Sequence, residues 1–470
     1  MSTQIGSSES NKRHTLIVGL GLTGMSCLRF LYGEEQLTVV DTRSKPEMLD
    51  EARKSYPGVT FVCGDIPDAI FTGVHRLVVS PGVALDLPLF AGSLAKELPV
   101  ISDIDLFLDA STVPVIGITG TNGKSTVTEL CGTLLAAIGM NVGVGGNLGV
   151  PALDLLGNAT DIYVLELSSF QLERLRLCGN LCSNEHKVID AINVGCLLNI
   201  SADHLDRHGD YESYVGAKRR IINLSDVLVY NRDDSQTASK NLDQARISFG
   251  SDTPGNGNWG LIDVGEGLES RSFLSFSGQP YLEVSALRIR GAHNVLNALA
   301  ALALATTQHS SVEDFKAALM DFEGLKHRCQ TVAFAEGITY INDSKATNVG
   351  ACLAALEGLG NAELKNIVLI AGGDAKDADM SSLKEAIASF VKYMIVIGKD
   401  AGKLADVATS SDTVAFAGNM LEAVKRAACV ASAGDLVLLS PACASFDMYS
   451  GFEARGADFV ESVERVAVAG

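Results

Sequence analysis

The chain has 470 residues, 47% of them apolar, more than one compact core can use, so two or three domains are expected. Its 37 basic and 56 acidic residues leave a formal charge of −19. A field of that sign repels nucleic acid and anionic membrane, so neither is expected as a partner, and a phosphorylated ligand must be held by local cations and backbone donors. The polar stretch Met1 to His14 has no apolar signal core, and no apolar run reaches the ~18 residues of a membrane span. A cytoplasmic protein is expected. The ten scattered cysteines, some in apolar runs (Cys131, Cys196), read as reduced core thiols. Cys178, Cys182 and His186 recur at four-residue spacing, compatible with a metal but read here as an ordinary polar loop.

Along the chain, short β-branched runs alternate with helix-length stretches: HTLIVGL, LTVVD, RLVVS, PVIGIT, IYVLEL, CLLNI, VLVY, IVLIAGG, YMIVIG and DLVLLS. Strands that are apolar throughout argue for parallel sheets covered on both faces, hence an α/β protein of doubly wound units. The pattern restarts twice. The first unit runs from the strand at Thr15 to about residue 100. The second begins at the strand at Val113 and is interrupted near 251–283 by a Gly/Ser/Asn-rich region with hairpin-like pieces. The third starts near 323, where GLKHR precedes the strand TYIND. The divisions expected are 1–102, 103–322 and 323–470.

Gly19-Leu20-Gly21-Leu22-Thr23-Gly24 follows a strand and opens a helix, and Asp41 ends the next strand. Such glycines let backbone N–H groups approach a diphosphate at a helix N-terminus, and an acid at that place suits a ribose. A nicotinamide dinucleotide, a UDP-sugar and a turn needed only for packing all satisfy this loop. Gly117-Ile118-Thr119-Gly120-Thr121-Asn122-Gly123-Lys124-Ser125-Thr126 is a second strand–helix junction. Here the backbone would cradle ATP phosphates, Lys124 would neutralise the β/γ oxygens and Ser125 would offer its hydroxyl to Mg²⁺. Ile118 stands where the strict phosphate loop has glycine, so this is a variant loop. Glu166 ends the strand Asp161 to Leu165, where a metal-liganding carboxylate belongs; a helix N-terminal acid is the alternative.

These residues, together with DTR (41–43), SPG (80–82), GGNLG, LELSSFQLE, NISADHLDRHG, AKRRI, GAHNVLNALAALALA, INDSKATN, LIAGGDAKDAD and SPACASFD, closely resemble the Mur ligase family over nearly the whole chain. The resemblance implies a UDP-binding Rossmann-like unit, a central P-loop-type ATPase domain and a C-terminal Rossmann-like unit. By matching positions, Leu22, Thr23, Asp41, Thr42, Arg43, Ser80 and Gly82 would hold the uridine diphosphate, and Asn147 the muramoyl part. Gly120 to Thr126, with Asn294, Arg328 and Asp343, would bind ATP. Two Mg²⁺ ions would lie on Ser125 with Glu166 and on His204 with Lys218, a lysine that the family carbamylates. Lys124, Glu166, His204 and Lys218 would form the catalytic set. Outside that context His204 reads as a solvated helix-start residue, Lys218 as a surface lysine and Asn294 as an exposed polar residue in a helix.

For the incoming amino acid, Lys345, Thr347, Lys376, Ser445, Phe446 and Phe452 match. The DNPR-type and HHPTE-type signatures of sister branches are absent, and SPACASFD with INDSKATN resembles the branch that adds D-glutamate to UDP-N-acetylmuramoyl-L-alanine. Lys376 with Thr347 suits one acceptor carboxylate and Ser445 the other. The resemblance implies an ATP-driven acyl phosphate, and a monomer is expected. Three departures stand out: a longer segment from Cys178 to Ala191, Ala292 in GAHN, and Cys329-Gln330 after Arg328.

Overall fold

β1 (His14–Val18), β2 (Gln36–Asp41), β3 (Thr60–Cys63), β4 (Arg76–Val79) and β5 (Val100–Ile101) form one parallel sheet in the order β3-β2-β1-β4-β5. The computed structural model describes residues 12–468 except 86, 91–97, 148, 158, 176–191, 240–242, 266–269, 310, 377 and 409. The Cys178, Cys182 and His186 pattern and the long segment around it lie outside the described residues. The described residues fall into two compact units, one within 1–120, 135–198 and 204–247, the other within 121–134, 199–203 and 248–470.

The first unit holds the β1–β5 sheet and a second one. β6 (Val115–Thr119), β7 (Val142–Gly146), β8 (Ile162–Glu166), β9 (Ile192–Leu197), β10 (Ser225–Asn231) and β11 (Ala245–Phe249) take the order β11-β10-β9-β6-β8-β7. β6 and β8 are buried at every residue, as strands covered on both faces must be. The apolar run CLLNI is only half strand: β9 ends at Leu197, Leu198 donates to Thr119 O, and Asn199 and Ile200 already leave the sheet. Arg29 pairs with Asp154 at 2.5 Å, and the buried Arg174 donates to Ser80 O at 2.9 Å and to Val83 O.

The second unit contains the antiparallel β12 (Trp259–Val264), β13 (Arg271–Phe276) and β14 (Gln279–Glu283), where hairpin-like pieces are expected from the sequence. β15 (Gln330–Ala335), β16 (Ile338–Asn342), β17 (Ile367–Gly372), β18 (Val391–Ile397), β19 (Val414–Phe416) and β20 (Leu436–Leu439) run in the order β15-β16-β20-β17-β18-β19. All described pairs are parallel except β15 with β16. β15 precedes the strand expected at TYIND and escapes a sequence reading because it is half-exposed and bulged near Thr331. The helix Ala292–Ala305 buries almost its whole length, because alanine and leucine supply apolar surface on every side. Among the described residues no helix is long and apolar enough to cross a membrane.

The turn after β1 depends on missing side chains. A Cβ at Gly24 would lie 1.9 Å from Gly19 O, and Gly19 itself has φ +98°. Gly24→Ala should therefore destabilise the first unit by roughly 2–3 kcal/mol in denaturant titration. Gly216→Ala, in the helix Tyr211–Asn223 with open space around it, should instead add about 0.5–1 kcal/mol.

Candidate active site

In the first unit a cleft of about 710 Å³ opens where the Gly19–Gly24 turn, the end of β2, the Ser80–Val83 loop and the Gly146–Pro151 loop converge. Leu22, Thr23, Asp41, Thr42, Arg43, Ser80, Gly82 and Asn147 all line it. The helix Leu22–Leu31 begins at Gly21 with no side-chain cap and no acid in its first turn, which leaves its N-terminal amides and positive dipole end for an anion. Asp41 does not present a free carboxylate. It accepts from Leu20 N–H at 2.8 Å, from Arg43 N–H and Nε at 2.9 Å and from Arg43 Nη2 at 2.7 Å. Burial alone would raise this carboxyl, but those hydrogen bonds outweigh it and hold the pKa below the usual aspartate range. Sequence reasoning missed Gln171 and Arg207, which also line the cleft; both stand in quoted motifs and could have been drawn from them.

At the inner end, Asn147 Nδ2 donates to Glu166 Oε1 at 2.8 Å, and Asn147 N–H to Glu166 O at 2.9 Å. Glu166 is buried at the C-terminal end of β8. Lys218 is 2% exposed, so the surface-lysine alternative is wrong: its Nζ donates to Gly120 O at 2.7 Å and lies 4.9 Å from the Tyr214 ring centroid. The amphipathic helix Tyr211–Asn223 turns it inward, together with Tyr214, Ala217 and Ile221. His204 is exposed and adopts a left-handed backbone (φ 53°), a strained conformation for a residue with a Cβ. Its ring meets Phe170 edge-on at 5.2 Å, and Phe170 stacks on His208 at 4.9 Å. Burial lowers the His208 pKa, so that ring is neutral at physiological pH. Among the described residues no group of three or more His, Cys, Asp or Glu gathers into a metal cluster. The buried Glu166 carboxylate is a hard oxygen donor of the kind magnesium takes, whereas the Lys218 amine would fit only after conversion to an anionic oxygen donor.

In the second unit the phosphate loop is braced from its own side. Thr121 N–H donates to Asn199 O at 2.9 Å, Asn122 N–H to Asn199 Oδ1 at 2.8 Å, and Ser201 N–H to Thr121 Oγ1 at 3.0 Å. Gly123 has φ +84°, and a Cβ there would stand 2.3 Å from Asn297 Oδ1. Asn297 in turn donates to Asn294 Oδ1 at 3.1 Å. Asn294 is buried rather than an exposed helix residue, and it donates to Arg290 O at 2.8 Å. Asn199 and Asn297 were not singled out by sequence; the asparagine pair in HNVLN, one helical turn apart, was the available signal. Lys124 Nζ donates to Thr121 O at 2.8 Å, and Ser125 and Thr126 are buried.

Arg328 Nη2 donates to Ser125 Oγ at 2.5 Å, which brings a residue 203 positions away to the loop's hydroxyl. It is flanked by left-handed residues, His327 (φ 63°) and Cys329 (φ 45°). Asp343 braces this turn from beneath, accepting from Cys329 N–H at 3.1 Å and Ser440 Oγ at 2.8 Å. The unexpected Cys329 is thus accommodated by its backbone, and its thiol lies 3.5 Å from His293 Nε2.

The expected amino-acid residues cluster on three segments of the same unit. Lys345 Nζ lies 3.9 Å from the Phe452 ring centroid, and Thr347 N–H donates to Lys345 O. Asp374 and Ala444 exchange backbone hydrogen bonds of 3.0 and 2.9 Å, which sets the turn bearing Lys376 beside Ser445 and Phe446. Lys376 is exposed with φ 47°, Ser445 is buried and Phe446 is 71% exposed.

Mainly parallel sheets with two strand–glycine–helix turns, the first over an open cleft, are an architecture typical of phosphate-binding α/β proteins. Residues 13–102 match the family described as Mur ligase MurD-like, N-terminal domain; 118–305 match the Mur ligase middle domain, and 327–443 the Mur ligase glutamate ligase domain. The UDP-N-acetylmuramoylalanine–D-glutamate ligase of Marinobacter nauticus is 42% identical over 96% of this chain and 98% of its own length. That of Pseudomonas aeruginosa shows the same figures. Among solved structures, the UDP-N-acetylmuramate-alanine ligase MurC of Thermotoga maritima shares the fold with a TM-score of 0.59 at 19% identity, covering 97% of this chain and all of that one. The chain belongs to the Mur ligase family and is an ATP-dependent ligase.

Burial pushes the Asp343 carboxyl up to about 6, against the hydrogen bonds from Ser440 and Cys329 and the nearby Arg328. Because this folded pKa exceeds that of an unfolded aspartate (~3.9), folding favours the protonated form. Its stabilising contribution is complete below pH ~4 and lost as pH rises through about 6. Asp343→Asn, always neutral, should gain on the wild type by on the order of 2–3 kcal/mol between pH 4 and 7 in chemical denaturation. Parallel stability curves would contradict this assignment.

Proposed function

We propose that this chain joins D-glutamate to the L-alanyl carboxylate of UDP-N-acetylmuramoyl-L-alanine in the cytoplasm, with ATP converted to ADP and phosphate, as a step of peptidoglycan precursor synthesis. The observation that carries this reading is the Asn147–Glu166 pair of hydrogen bonds, which ties the inner end of the diphosphate-sugar cleft to the carboxylate at the end of β8. The two glycine loops then have separate ligands. The Gly19–Gly24 turn, with Thr23, Arg43 and Ser80, takes the UDP group, and the Gly120–Thr126 turn takes ATP. Similarity over almost the full length of relatives named for this reaction supports the same substrates. The stretches 1–102, 103–322 and 323–470 read as the UDP, ATP and amino-acid domains.

A carboxylate resists an amine because its carbonyl is electron-rich and oxide is a poor leaving group. Transfer of the ATP γ-phosphoryl group to one carboxylate oxygen gives an acyl phosphate and releases ADP. The neutral D-glutamate amine then attacks the carbonyl carbon, the tetrahedral intermediate expels phosphate, and the amine proton passes to a base. Magnesium, for which Ser125, Glu166, His204 and carbamylated Lys218 are the expected ligands, supplies charge screening between the anionic reactants. Lys124 neutralises phosphate oxygens, and Arg328 meets charge developing on the γ-phosphate. Carbamylation suits Lys218 physically: addition of CO₂ to the neutral amine replaces a buried cation with an anionic oxygen donor.

Lys124→Ala should abolish turnover while leaving the thermal unfolding midpoint nearly unchanged, since backbone and asparagine contacts hold the loop beside the ammonium's bond to Thr121 O. Lys218→Ala should lose activity by more than about 100-fold and recover part of it in added formate, a small carboxylate that can occupy the vacated position. The reading as a whole is tested by phosphate release from ATP with UDP-N-acetylmuramoyl-L-alanine and each of several amino acids. Release that depends on D-glutamate is expected; release indifferent to it, or dependent on another amino acid, would overturn the proposal.

A further inference from the structure

Arg455, on the helix Phe452–Val463, is 1% exposed. Its Nε donates to Ser344 Oγ at 3.0 Å and its Nη2 to Ser344 O at 2.8 Å, while Nη1 reaches Cys443 O at 3.0 Å and Gly372 O at 3.3 Å. Ser344 immediately precedes Lys345, Gly372 opens the turn that carries Lys376, and Cys443 lies two residues before Ser445. One planar guanidinium therefore joins the three segments on which the expected amino-acid residues sit, and its five-donor fork is the side chain that can do so.

All four acceptors are neutral. Burial lowers the guanidinium pKa to about 10, even with Asp447 near enough to favour the charge, so it stays cationic at neutral pH. A buried cation held by neutral oxygens is a costly way to join loops, because an apolar side chain of similar volume would fill the space without the desolvation penalty. What the cation adds is field. In a poorly screened interior a fixed positive charge raises the potential across the whole loop cluster, and that potential acts on the net charge of whatever binds there.

We infer that Arg455 is a positioning and specificity-determining residue: it sets the relative placement of the three loops and favours an amino acid with a second, side-chain carboxylate over its neutral amide counterpart. This rests on the reading of the cluster as the D-glutamate site. Lys376 and Ser445 supply direct contacts; Arg455 acts through the loops and through space. The feature was invisible in the sequence, where an arginine at the fourth position of a helix has the composition of a solvated surface residue.

The test compares the KM of D-glutamate with the inhibition constant of D-glutamine, its neutral isostere, in the wild type and in Arg455→Gln, by phosphate release with ATP and UDP-N-acetylmuramoyl-L-alanine. Wild-type turnover that depends on D-glutamate establishes the reaction itself; its absence would sink the functional reading, separately from this inference. In Arg455→Gln both constants should weaken as the fork is lost, but the loss for D-glutamate should exceed that for D-glutamine by about tenfold or more, while the KM of ATP is unchanged. Equal losses for the two amino acids would mean that Arg455 only holds the loops in place, and would overturn the inference. Arg455→Lys keeps the charge without the fork, so both constants should weaken together and their ratio should stay within about threefold of the wild type. Should Arg455→Gln fail to fold, Arg455→Lys decides alone, and a collapse of the ratio there overturns the proposal.

Discussion

Much of the second unit's architecture depends on holding the turn from Thr121 to Gly123 in one shape. A glycine turn can present its amides to a ligand only if the turn itself does not collapse. Asn199 holds the Thr121–Asn122 segment through its side chain and its carbonyl, and Asn297 closes against Gly123 so tightly that a methyl group would not fit. Asn297 donates to Asn294 and Asn294 to Arg290 O, so the side chain packed against Gly123 is anchored at the start of the helix Ala292–Ala305. Polar groups this well satisfied fix one geometry, because each alternative would leave a buried donor or acceptor without a partner.

The same logic governs the first unit with different residues. Asp41 is committed on both oxygens to Arg43 and to the glycine turn, so the pair behaves as a preset clamp on the rim of the cleft rather than as two independent contacts. Arg174, buried with its donors on Ser80 and Val83 carbonyls, fixes the opposite wall. In both places a charged side chain shapes backbone beside the cleft, which lets a chain of net charge −19 set cations and N–H donors locally.

The parallel sheets and both glycine turns were legible in the sequence, because strands buried on both faces must be apolar throughout and because strand–glycine–helix junctions have few alternative uses. β8 ends at Glu166 as its apolar run requires, and the helix Tyr211–Asn223 follows its amphipathic pattern. What could not be read were elements whose residues carry little pattern. β15 is short, bulged and half-exposed, and β9 stops two residues into the apolar run that marked it. Individual side chains were hardest. Lys218 and Arg455 have the composition of surface residues, and only tertiary context puts them inside. The residues of the first cleft converged as expected from motif similarity, whereas the bracing asparagines went unassigned because their partners are distant in sequence.

The turn that carries Arg328 has left-handed backbone on either side of it, at His327 and Cys329, and is fastened from below by Asp343. A long, flexible side chain is thereby launched from a rigid base. The conformational entropy of holding its backbone is surrendered when the chain folds, so on the proposed reading the arginine would meet each incoming nucleotide from a base already fixed.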